Sequence, residues 1–583
     1  MTTILTMKTE TQPFHVVICG GGLAGLTLAL QLKGLQSDLE ITVLEKTTRP
    51  LPDAAHKVGE STVEIGAHYF GEVLNLKTYL QKEQLPKLGL RYFYGSGKLP
   101  LETRPELGPS MYSPVPSYQL DRGTLETDLR QMAQDTGVNL LEGASLDGIE
   151  FSENGDKHMV TYSSNGNTET IATNWVVDAM GRRRYLQTKL GLKKESPHTA
   201  SSVWFRMEGK VSVNDLVPAS NTAWHQRNIE DRYYSTNHLM GHGYWVWLIP
   251  LASGNTSIGI VTQNDIHDFA AYSRSYQTSL HWLQEHEPFL AKHLAGKEPL
   301  DFRKIKNYSY GSEQLFSENR WTCVGEAGVF SDPFYSPGSD MIALTNTYTC
   351  NLILADVAGE LTKEKVDLLN NEVLNIRFPD QLSYFIDGYH TFGNTQIAAT
   401  KFLWDTIYYW RVYSHPFLCG FLDDFEFIKM YAEKVKQLSV INIEIQSEFR
   451  KWAEQTESEN HFTFCDLAQK RLFIESAIGL MTRPKKENYH HYLDEQILFF
   501  TEMSLALKAK AEHGTEQICF APFRSFFGPI TEKQKRKNRI NKRIAQIGNG
   551  AFLYAFRATY LRYFVANKPA VRLRGMLRML YSE

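Results

Sequence analysis

The pattern of apolar and polar positions near the N-terminus predicts two strands that flank a helix. The apolar run Val16 to Cys19 is typical of a buried parallel strand, and a glycine-rich turn follows it. Leu23 to Lys33 has helical spacing, and Glu40 to Glu45 predicts the second strand. This order predicts a βαβ unit, in which a crossover helix joins two parallel strands.

Between about residues 90 and 315 the pattern changes to short strands separated by turns. Met159 to Tyr162, Tyr244 to Leu251 and Ser257 to Val261 predict strands, and Ser164-Asn165-Gly166 predicts a turn. Residues 320–329 predict one more strand followed by a glycine-rich turn. Beyond about residue 345 the pattern is mostly helical and rich in aromatic residues.

These patterns predict an α/β fold with a Rossmann-type nucleotide-binding domain, a mainly β substrate domain and a helical C-terminal region. The first part of the nucleotide-binding domain is expected at 14–100. Interleaved nucleotide-binding and β-sheet segments follow at 101–315, and the last part of the domain lies at 316–360. The helical region is expected at 361–583, packed with the rest as one body.

Composition narrows the class of protein. Apolar residues make up 42% of the 583 positions and charged residues 22%, with a net charge of -3, which is typical of a globular chain without a nucleic-acid partner. Six cysteines lie far apart without a CxxC pair, so we expect no disulfide framework and no metal site. No segment reads as a signal peptide or a membrane span, and we expect a cytoplasmic protein.

The turn after the first strand carries the motif of a dinucleotide site. Gly20, Gly22 and Gly25 satisfy GxGxxG, and Glu45 ends the next strand at the spacing expected for an acid that binds the adenosine ribose. Glycines let the backbone N–H groups approach a pyrophosphate, and the helix N-terminus favours its negative charge. The motif in this context predicts a nucleotide cofactor.

Three further segments indicate FAD rather than NAD. Tyr118 to Glu126, which contains Arg122, resembles the "DR..L" element of FAD-dependent aromatic hydroxylases. Asp178 begins a segment that resembles their "DA.G" element, and Glu326 stands where their "GDA" element has an aspartate. A second GxGxxG is missing from the sequence, so we predict no separate NAD(P)H domain.

Four segments resemble the flavin-dependent halogenases within this group of flavoproteins. Trp245 to Pro250 matches their WxWxIP signature, and Phe330 to Gly338 matches their Phe…Pro…Ser…Gly signature. Val58 to Thr62 resembles their "GES" loop, and Lys87 stands where they have an active-site lysine. The resemblance covers about residues 14–350, and no motif was recognised in the helical C-terminal third.

The resemblance implies an enzyme that installs chlorine or bromine on an electron-rich aromatic substrate. FAD, reduced by a separate flavin reductase, would react with O2 to give a C4a-hydroperoxyflavin, and bound chloride or bromide would be oxidised to hypohalous acid. The lysine amine would then direct the electrophilic halogen.

The implied residues fall into three groups. Catalytic roles are predicted for Lys87, Tyr335 and Ser336. Trp245 and Trp247 would wall off the flavin from the substrate. The predicted cofactor-binding residues are Gly20, Gly22, Gly25, Glu45, Gly59, Glu60, Ser61, Arg122, Asp178, Glu326, Pro333 and Gly338.

Three positions depart from the family pattern. Pro337 lies in the turn whose backbone N–H groups hold the halide in the family, and proline has no N–H. Glu64 replaces the proline that usually follows the "GES" loop. Tyr335 stands where free-tryptophan halogenases have a glutamate, which favours a phenol, pyrrole or other activated ring, either free or attached to a carrier protein.

The sequence leaves several alternatives open. The chain could be a monooxygenase or oxidase on the same fold, or a flavoprotein whose C-terminal region mainly docks a partner. Lys87 could be a surface lysine, and the two tryptophans could be ordinary strand core. The basic segment 533–543 is either a solvated charge run or a patch for an acidic partner such as a carrier protein.

Overall fold

The computed structural model describes residues 14–51, 59–152, 157–456 and 463–513. The polypeptide forms one mostly parallel sheet, one large mixed sheet and a helical region that packs on both.

The six-stranded sheet carries the nucleotide-binding motifs. Its four central strands and one edge strand run parallel, and the other edge strand pairs antiparallel with its neighbour. The central strands are buried and rich in Val and Ile, as expected for a parallel sheet covered on both faces. In sheet order the strands are Phe316–Ser317, Trp321–Cys323, Trp175–Asp178, His15–Cys19, Glu40–Glu45 and Asn139–Glu142.

The eight-stranded sheet forms the wall beneath the candidate site. Its three longest strands are buried along their whole length, because both faces of the sheet are covered. One face packs in a separate apolar cluster, and the other packs in the main core of the molecule. In sheet order the strands are Arg303–Ile305, Ala200–Met207, Thr256–Gln263, Tyr244–Pro250, Thr236–Gly241, Leu90–Phe93, Glu106–Gly108 and Phe464–Asp466.

Three small sheets complete the β structure. A three-stranded antiparallel sheet joins Asn167–Thr173, His158–Ser164 and Ala144–Glu150. Two antiparallel pairs join Lys193–Glu195 with Tyr310–Ser312 and Leu85–Pro86 with Tyr118–Gln119. The second pair fixes the position of the residue that follows it, Lys87.

Helices cover the parallel sheet and make up almost all of the C-terminal region. The α-helices are Leu23–Leu35, Glu64–His68, Lys77–Glu83, Arg122–Asp135, Tyr185–Leu190, Thr222–Gln226, Phe269–Tyr272, Tyr276–His286, Pro288–Leu294, Gly338–Val357, Lys363–Asn370, Phe378–Ile386, Gly388–Thr391, Thr395–Tyr408, His415–Leu418, Phe425–Gln455, Arg471–Gly479 and Tyr489–His513. Turns with wider, π-type hydrogen bonding follow three of them at Tyr69–Val73, Asn371–Arg377 and Tyr409–Ser414.

The C-terminal region is integrated with the rest of the fold. Its longest helix, Phe425–Gln455, packs on Tyr489–His513, and the strand Phe464–Asp466 pairs parallel with Glu106–Gly108 at the edge of the large sheet. A strand from residue 464 onwards was not predicted, because its three residues lack the length that makes a periodic pattern visible.

The fold class predicted from the sequence is confirmed. The βαβ unit lies at the predicted residues, and the strands predicted around residues 160, 247 and 259 are present. Among the described residues, none of the helices combines the length and the apolar character that crossing a bilayer requires.

Two glycines of the first helix provide a matched test of the nucleotide turn. A Cβ at Gly25 would lie 2.0 Å from the carbonyl oxygen of Gly20, whereas a Cβ at Gly34 of the same helix meets no atom within 4 Å. We expect Gly25→Ala to lower the free energy of unfolding by about 1–3 kcal/mol and to weaken FAD binding, because helix and turn must separate. Gly34→Ala should raise the free energy of unfolding by up to about 1 kcal/mol.

Chemical denaturation and flavin titration of both variants test this prediction. Equal stability and equal FAD affinity of the Gly25 and Gly34 variants would show that the turn tolerates the added atom.

Candidate active site

The three nucleotide motifs meet at the carboxyl ends of the parallel strands. Gly20 (φ +113°) is so close to the strand end that an added Cβ would lie 2.5 Å from the carbonyl oxygen of Ala179, the residue after Asp178. Gly325, which precedes Glu326, lies against Ala24 of the first helix. The fold therefore brings the predicted "DA.G" and "GDA" segments to the glycine turn.

Glu45 is held at the edge of this turn. Its carboxylate accepts hydrogen bonds from the backbone N–H of Gly21 at 2.8 Å and from the N–H and hydroxyl of Thr47 at 2.8 and 2.6 Å. The Arg130 guanidinium lies 3.7 Å away. The carboxylate is thus fixed at the end of its strand and next to the turn, where an adenosine ribose would need it.

The N-terminus of the helix Leu23–Leu35 completes a site that fits FAD. Its first amides have no intrahelical acceptor, and Gly22, with φ -90°, is the N-cap residue without a side chain to block an approaching phosphate. Gly20, Gly22, Gly25 and Glu45 would hold the adenine-side half of the cofactor. Their roles stay predictions, as do those of the other residues predicted from the motifs.

Asp178 and Glu326 have protein partners of their own. Both carboxylate oxygens of Asp178 accept backbone N–H groups, from Met180 at 3.0 Å and from Leu186 at 2.8 Å, and burial raises its pKa to about 6. Glu326, about a third exposed, forms an ion pair of 3.0 Å with Arg182. Asp178 therefore stabilises the turn that follows its strand. Arg182 neutralises the charge of Glu326, and the sequence motif did not indicate this partner.

The loop that contains Gly59, Glu60 and Ser61 is tied to the β domain. Arg122 donates a hydrogen bond of 3.3 Å to the carbonyl of Gly59. Glu60 is buried and accepts two hydrogen bonds from Arg206, at 3.0 and 2.7 Å. The Ser61 hydroxyl lies 3.0 Å from that of Thr236.

Lys87 is buried, which excludes the surface-lysine alternative. It is 3% exposed, and its Nζ donates hydrogen bonds to Ser61 Oγ at 2.8 Å and to the Thr62 carbonyl at 2.7 Å. Burial lowers the pKa of the Lys87 amine to about 7, although the charges of Glu64 and Asp340 act in the opposite direction. A substantial fraction of the amine is therefore neutral near pH 7.

Two carboxyl groups accompany Lys87 in the same cavity. Asp340 accepts hydrogen bonds from the backbone N–H of Gly66 at 2.8 Å and from the Tyr409 hydroxyl at 2.5 Å. Burial raises the pKa of Asp340 to about 7 and also raises that of Glu64, which the Trp410 indole hydrogen-bonds. Lys87 and Asp340 can therefore exchange protons with a bound molecule near neutral pH.

The turn from Phe330 to Gly338 is anchored through Asp332, which is fully buried. One carboxylate oxygen of Asp332 accepts hydrogen bonds from His198 Nε2 at 2.6 Å, from the Tyr308 hydroxyl at 2.6 Å and from the Tyr389 hydroxyl at 2.8 Å. The other oxygen accepts the backbone N–H of Phe334 at 2.8 Å. Asp332 lies within the signature segment but was not singled out from the sequence.

The end of this turn has a specific backbone geometry. Ser336 has φ +59°, an unusual value for a residue with a side chain, and its N–H donates to the Pro333 carbonyl at 2.9 Å. Pro337 and Gly338 then begin the helix Gly338–Val357. The turn therefore offers neither the Ser336 N–H nor any N–H of Pro337 to a ligand.

A cavity of about 290 Å3 opens beside Lys87 and this turn. The N-terminal part of the chain contributes Glu64 and Lys87, the helix Gly338–Val357 contributes Asp340, and the turn contributes Ser331, Tyr335 and Pro337. Ser336 is not among the lining residues. Aromatic side chains supply much of the remaining wall, namely Tyr112, Tyr384, Phe385, Phe402, Tyr409, Trp410 and Phe473.

The far side of the cavity belongs to the C-terminal helical region. Asp405 lines the cavity and accepts hydrogen bonds from the Tyr335 hydroxyl at 2.7 Å, from Lys401 Nζ at 2.6 Å and from Gln446 Nε2 at 2.7 Å. Tyr335 is thereby fastened to the helix Thr395–Tyr408. The predicted role of Tyr335 thus depends on a region in which the sequence showed no motif.

Trp245 and Trp247 lie on one face of the large sheet, outside the cavity lining. The Trp245 indole donates to the Tyr389 hydroxyl at 2.8 Å, and its ring contacts Phe334 with 5.1 Å between centroids. The Trp247 indole donates to Ser257 at 3.2 Å. Both side chains fit the strand-core alternative, and the barrier role stays a prediction.

The comparisons with known proteins agree with this geometry. Residues 13–258 match the family model described as FAD binding domain, which confirms FAD as the predicted cofactor. The chain is 27% identical to the flavin-dependent halogenase chlA of Dictyostelium discoideum over 57% of this chain and 58% of that protein. It therefore spans less than two thirds of the length of this relative.

A second relative and a solved structure extend the comparison. The chain is 25% identical to the 1H-pyrrole-2-carbonyl-[peptidyl-carrier protein] chlorinase of Pseudomonas fluorescens over 56% of this chain and 72% of that protein. The structure of halogenase PltM in complex with phloroglucinol and FAD superposes with a TM-score of 0.61 at 18% identity, covering 84% of this chain and 96% of PltM. The likeness to PltM establishes the fold.

Two Lys–Asp pairs with the same helical spacing test the energetic role of the cavity wall. Lys401–Asp405 is buried, whereas Lys363–Asp367 is more than half exposed. We expect Asp405→Ala to lower the free energy of unfolding by about 3–5 kcal/mol, because it leaves the Lys401 ammonium buried without its carboxylate. Asp367→Ala should cost about 0.5 kcal/mol or less.

Urea unfolding of the two variants measures both costs. A small and equal loss in both variants would show that Lys401 finds another partner or loses its proton without penalty.

Proposed function

We propose that this chain, a relative of the flavin-dependent halogenases with their fold and an FAD-binding domain, is an FAD-dependent halogenase that chlorinates or brominates an electron-rich aromatic ring. The observation that best supports this proposal is the position of Lys87. The amine is buried and borders a ring-lined cavity that the signature turn at residues 330–338 also lines.

The hydrogen bonds of Lys87 suit an amine that captures an electrophilic halogen. A neutral amine has two N–H groups and one lone pair, and both N–H groups are engaged by Ser61 and Thr62. The lone pair is then left for the cavity. Since burial lowers the pKa of Lys87 to about 7, this neutral form is accessible under ordinary conditions.

Reduced FAD, when bound, supplies the activation of O2 that oxidises halide to hypohalous acid. Lys87 then holds the hypohalous acid next to the aromatic ring. A carbon–halogen bond forms, the ring C–H bond breaks, and the ring proton and the hydroxide of the hypohalous acid leave as water. In this step the protein orients the hypohalous acid towards the ring, excludes water and accepts the proton that leaves the ring.

Glu64 and Asp340 are placed to handle that proton. Both line the cavity with Lys87, and burial raises the pKa of both, that of Asp340 to about 7, so Asp340 can accept a proton near neutral pH. Tyr409, which donates to Asp340, also accepts the backbone N–H of Ile65 at 3.2 Å and so fixes the carboxyl group in place.

The cavity supports a small, uncharged aromatic substrate. Its wall is largely apolar, and its carboxyl groups, from Glu64, Asp340 and Asp405, would repel the carboxylate of a free amino acid and attract hydroxyl or N–H donors. A phenol or a pyrrole fits this lining. The names of the relatives include both an enzyme for a carrier-bound pyrrole and a halogenase bound to phloroglucinol.

Two partners follow from this proposal. A flavin reductase would supply reduced FAD, because the sequence carries no NAD(P)H motif. A carrier protein would be needed if the ring is thioester-bound, and the basic segment 533–543 proposed for such a partner lies outside the described residues.

A monooxygenase is the second candidate, and Pro337 is the observation that favours it. Proline removes one N–H from the turn that would hold the halide. Without bound halide, the same oxygen chemistry would place a hydroxyl group on the ring.

One experiment separates the two functions. The purified protein with FAD, a flavin reductase, NADH and air is incubated with phenols and pyrroles, free and carrier-bound, with and without chloride or bromide. Mass spectrometry should show halogenated product that requires halide. Hydroxylated product that forms equally well without halide would overturn the halogenase proposal in favour of the monooxygenase.

The Lys87→Met variant tests the role of the amine, since methionine keeps much of the side-chain volume. We expect halogenated product to fall by at least about 100-fold while FAD affinity stays at the parental value, because the lysine only aims the oxidant. The control is Lys82→Met, which removes a solvent-exposed lysine. Near-parental halogenation by Lys87→Met would make Lys87 structural.

The dependence of kcat on pH tests the protonation state of Lys87. A required neutral amine with a pKa of about 7 gives a rate that rises with pH through about 7. Glu64→Gln removes a negative charge that raises the pKa of Lys87, so the rising limb should move to lower pH. Glu72→Gln, which alters an exposed ion pair with Lys77, should leave it in place. A limb that moves to higher pH in Glu64→Gln contradicts this assignment.

A further inference from the structure

Gln381 is a buried amide without a protein partner. It lies on the helix Phe378–Ile386 of the C-terminal region and is 9% exposed. Within the part of the chain that the structure describes, its carboxamide makes no hydrogen bond, and Oε1 is inaccessible to solvent. A buried amide without a hydrogen-bond partner lowers the stability of the fold unless a ligand supplies that partner.

The carboxamide lies where two cavities adjoin. One is the cavity beside Lys87, and the other, which we call the junction cavity, has a volume of about 10 Å3. Ser331, Pro337 and Gln381 line both, and Glu326 and Gly338 line the junction cavity alone. The smaller volume is about that of a single small ion or water.

The junction cavity has the electrostatics of an anion site. It adjoins the N-terminus of the 20-residue helix Gly338–Val357, whose first amides have no intrahelical acceptor. Ser331, which also lines this cavity, carries a hydroxyl group that can act as a donor. The one carboxylate that lines this cavity, Glu326, is neutralised by its ion pair with Arg182.

The turn itself is short of donors. Pro337 has no N–H, and the Ser336 N–H is used by the Pro333 carbonyl. A halide beside this turn is therefore left with the amides of the helix N-terminus, and a side-chain donor from elsewhere in the chain would strengthen its binding. Gln381 is the uncommitted side-chain amide that lines the same cavity.

We propose that Gln381 is a halide-binding residue, whose Nε2 donates to chloride or bromide in the junction cavity in place of the N–H that Pro337 lacks. This inference rests on the proposed halogenase function. A half-turn of the carboxamide about its last bond exchanges Oε1 and Nε2, so the amide can face the ion without moving the helix.

The position of Gln381 also gives the helical region a chemical role. Hypohalous acid formed on the junction side reaches Lys87 past the residues that line both cavities. The same amide that binds the halide with Nε2 can accept the O–H of hypohalous acid with Oε1. Halide selection would then depend on a helix far from the nucleotide motifs in sequence.

Halide titrations of Gln381 variants test the proposal. Gln381→Met removes the donor at similar length, and Gln381→Glu puts a negative charge at the same place. We expect the chloride concentration for half-maximal halogenation to rise about ten-fold in Gln381→Met and further in Gln381→Glu.

A second measurement is independent of turnover. Chloride and bromide titrations of the FAD-bound protein, followed by the flavin absorbance, should give dissociation constants that rise in the same order. Pro337→Thr restores an N–H to the turn, so in the Gln381→Met background it should recover much of the lost halide affinity.

Three results would overturn the inference. They are an unchanged halide dependence in both Gln381 variants, a change confined to FAD affinity, and a change confined to the KM for the aromatic substrate. A parental enzyme that makes no halogenated product at any halide concentration would instead defeat the proposed function, and the absorbance titration would still report whether Gln381 binds halide.

Discussion

The hydrogen bonds to Asp332 are the interaction on which the candidate site depends. The carboxylate is fully buried, and His198, Tyr308 and Tyr389 donate to it from three separate segments. A buried carboxylate without donors is strongly unfavourable, so the conformation of the turn depends on donors from both the β domain and the helical region. The turn, held by Asp332, then positions Tyr335 and Pro337 beside Lys87.

Sequence reasoning reached the candidate site where short segments carry their own chemistry. The glycine turn, Glu45 and Lys87 could be singled out because each belongs to a local pattern whose spacing reflects one strand, one turn or one loop. The structure adds what a local pattern does not contain: the burial that lowers the pKa of Lys87 and the carboxyl groups that surround it. Asp340 has no signature in the sequence, because its role arises only when its helix packs against Gly66.

The C-terminal region shows why the remainder of the site could not be predicted. Its helices contribute Asp405, Tyr409 and Gln381 to the cavities through packing between residues far apart in the chain. Tyr409 begins a π-type turn, a local widening of the helix that aromatic-rich periodicity does not reveal. Even the strand at residues 464–466 joins the large sheet only through a neighbour more than 350 positions earlier, since Phe464 pairs with Glu106.

The division of the cavity wall has a consequence for how such enzymes diversify. The amine at Lys87 and the nucleotide turn lie in the N-terminal part, whereas the wall that a substrate meets opposite them comes from the helices after residue 380. Mutations in those helices can reshape this wall without touching Lys87 or the nucleotide turn, whereas a change at Gln381 would also alter the proposed halide site. The residues that would hold the cofactor and most of those that would contact the ring are therefore separate in the sequence, so cofactor binding and ring selection can be altered independently.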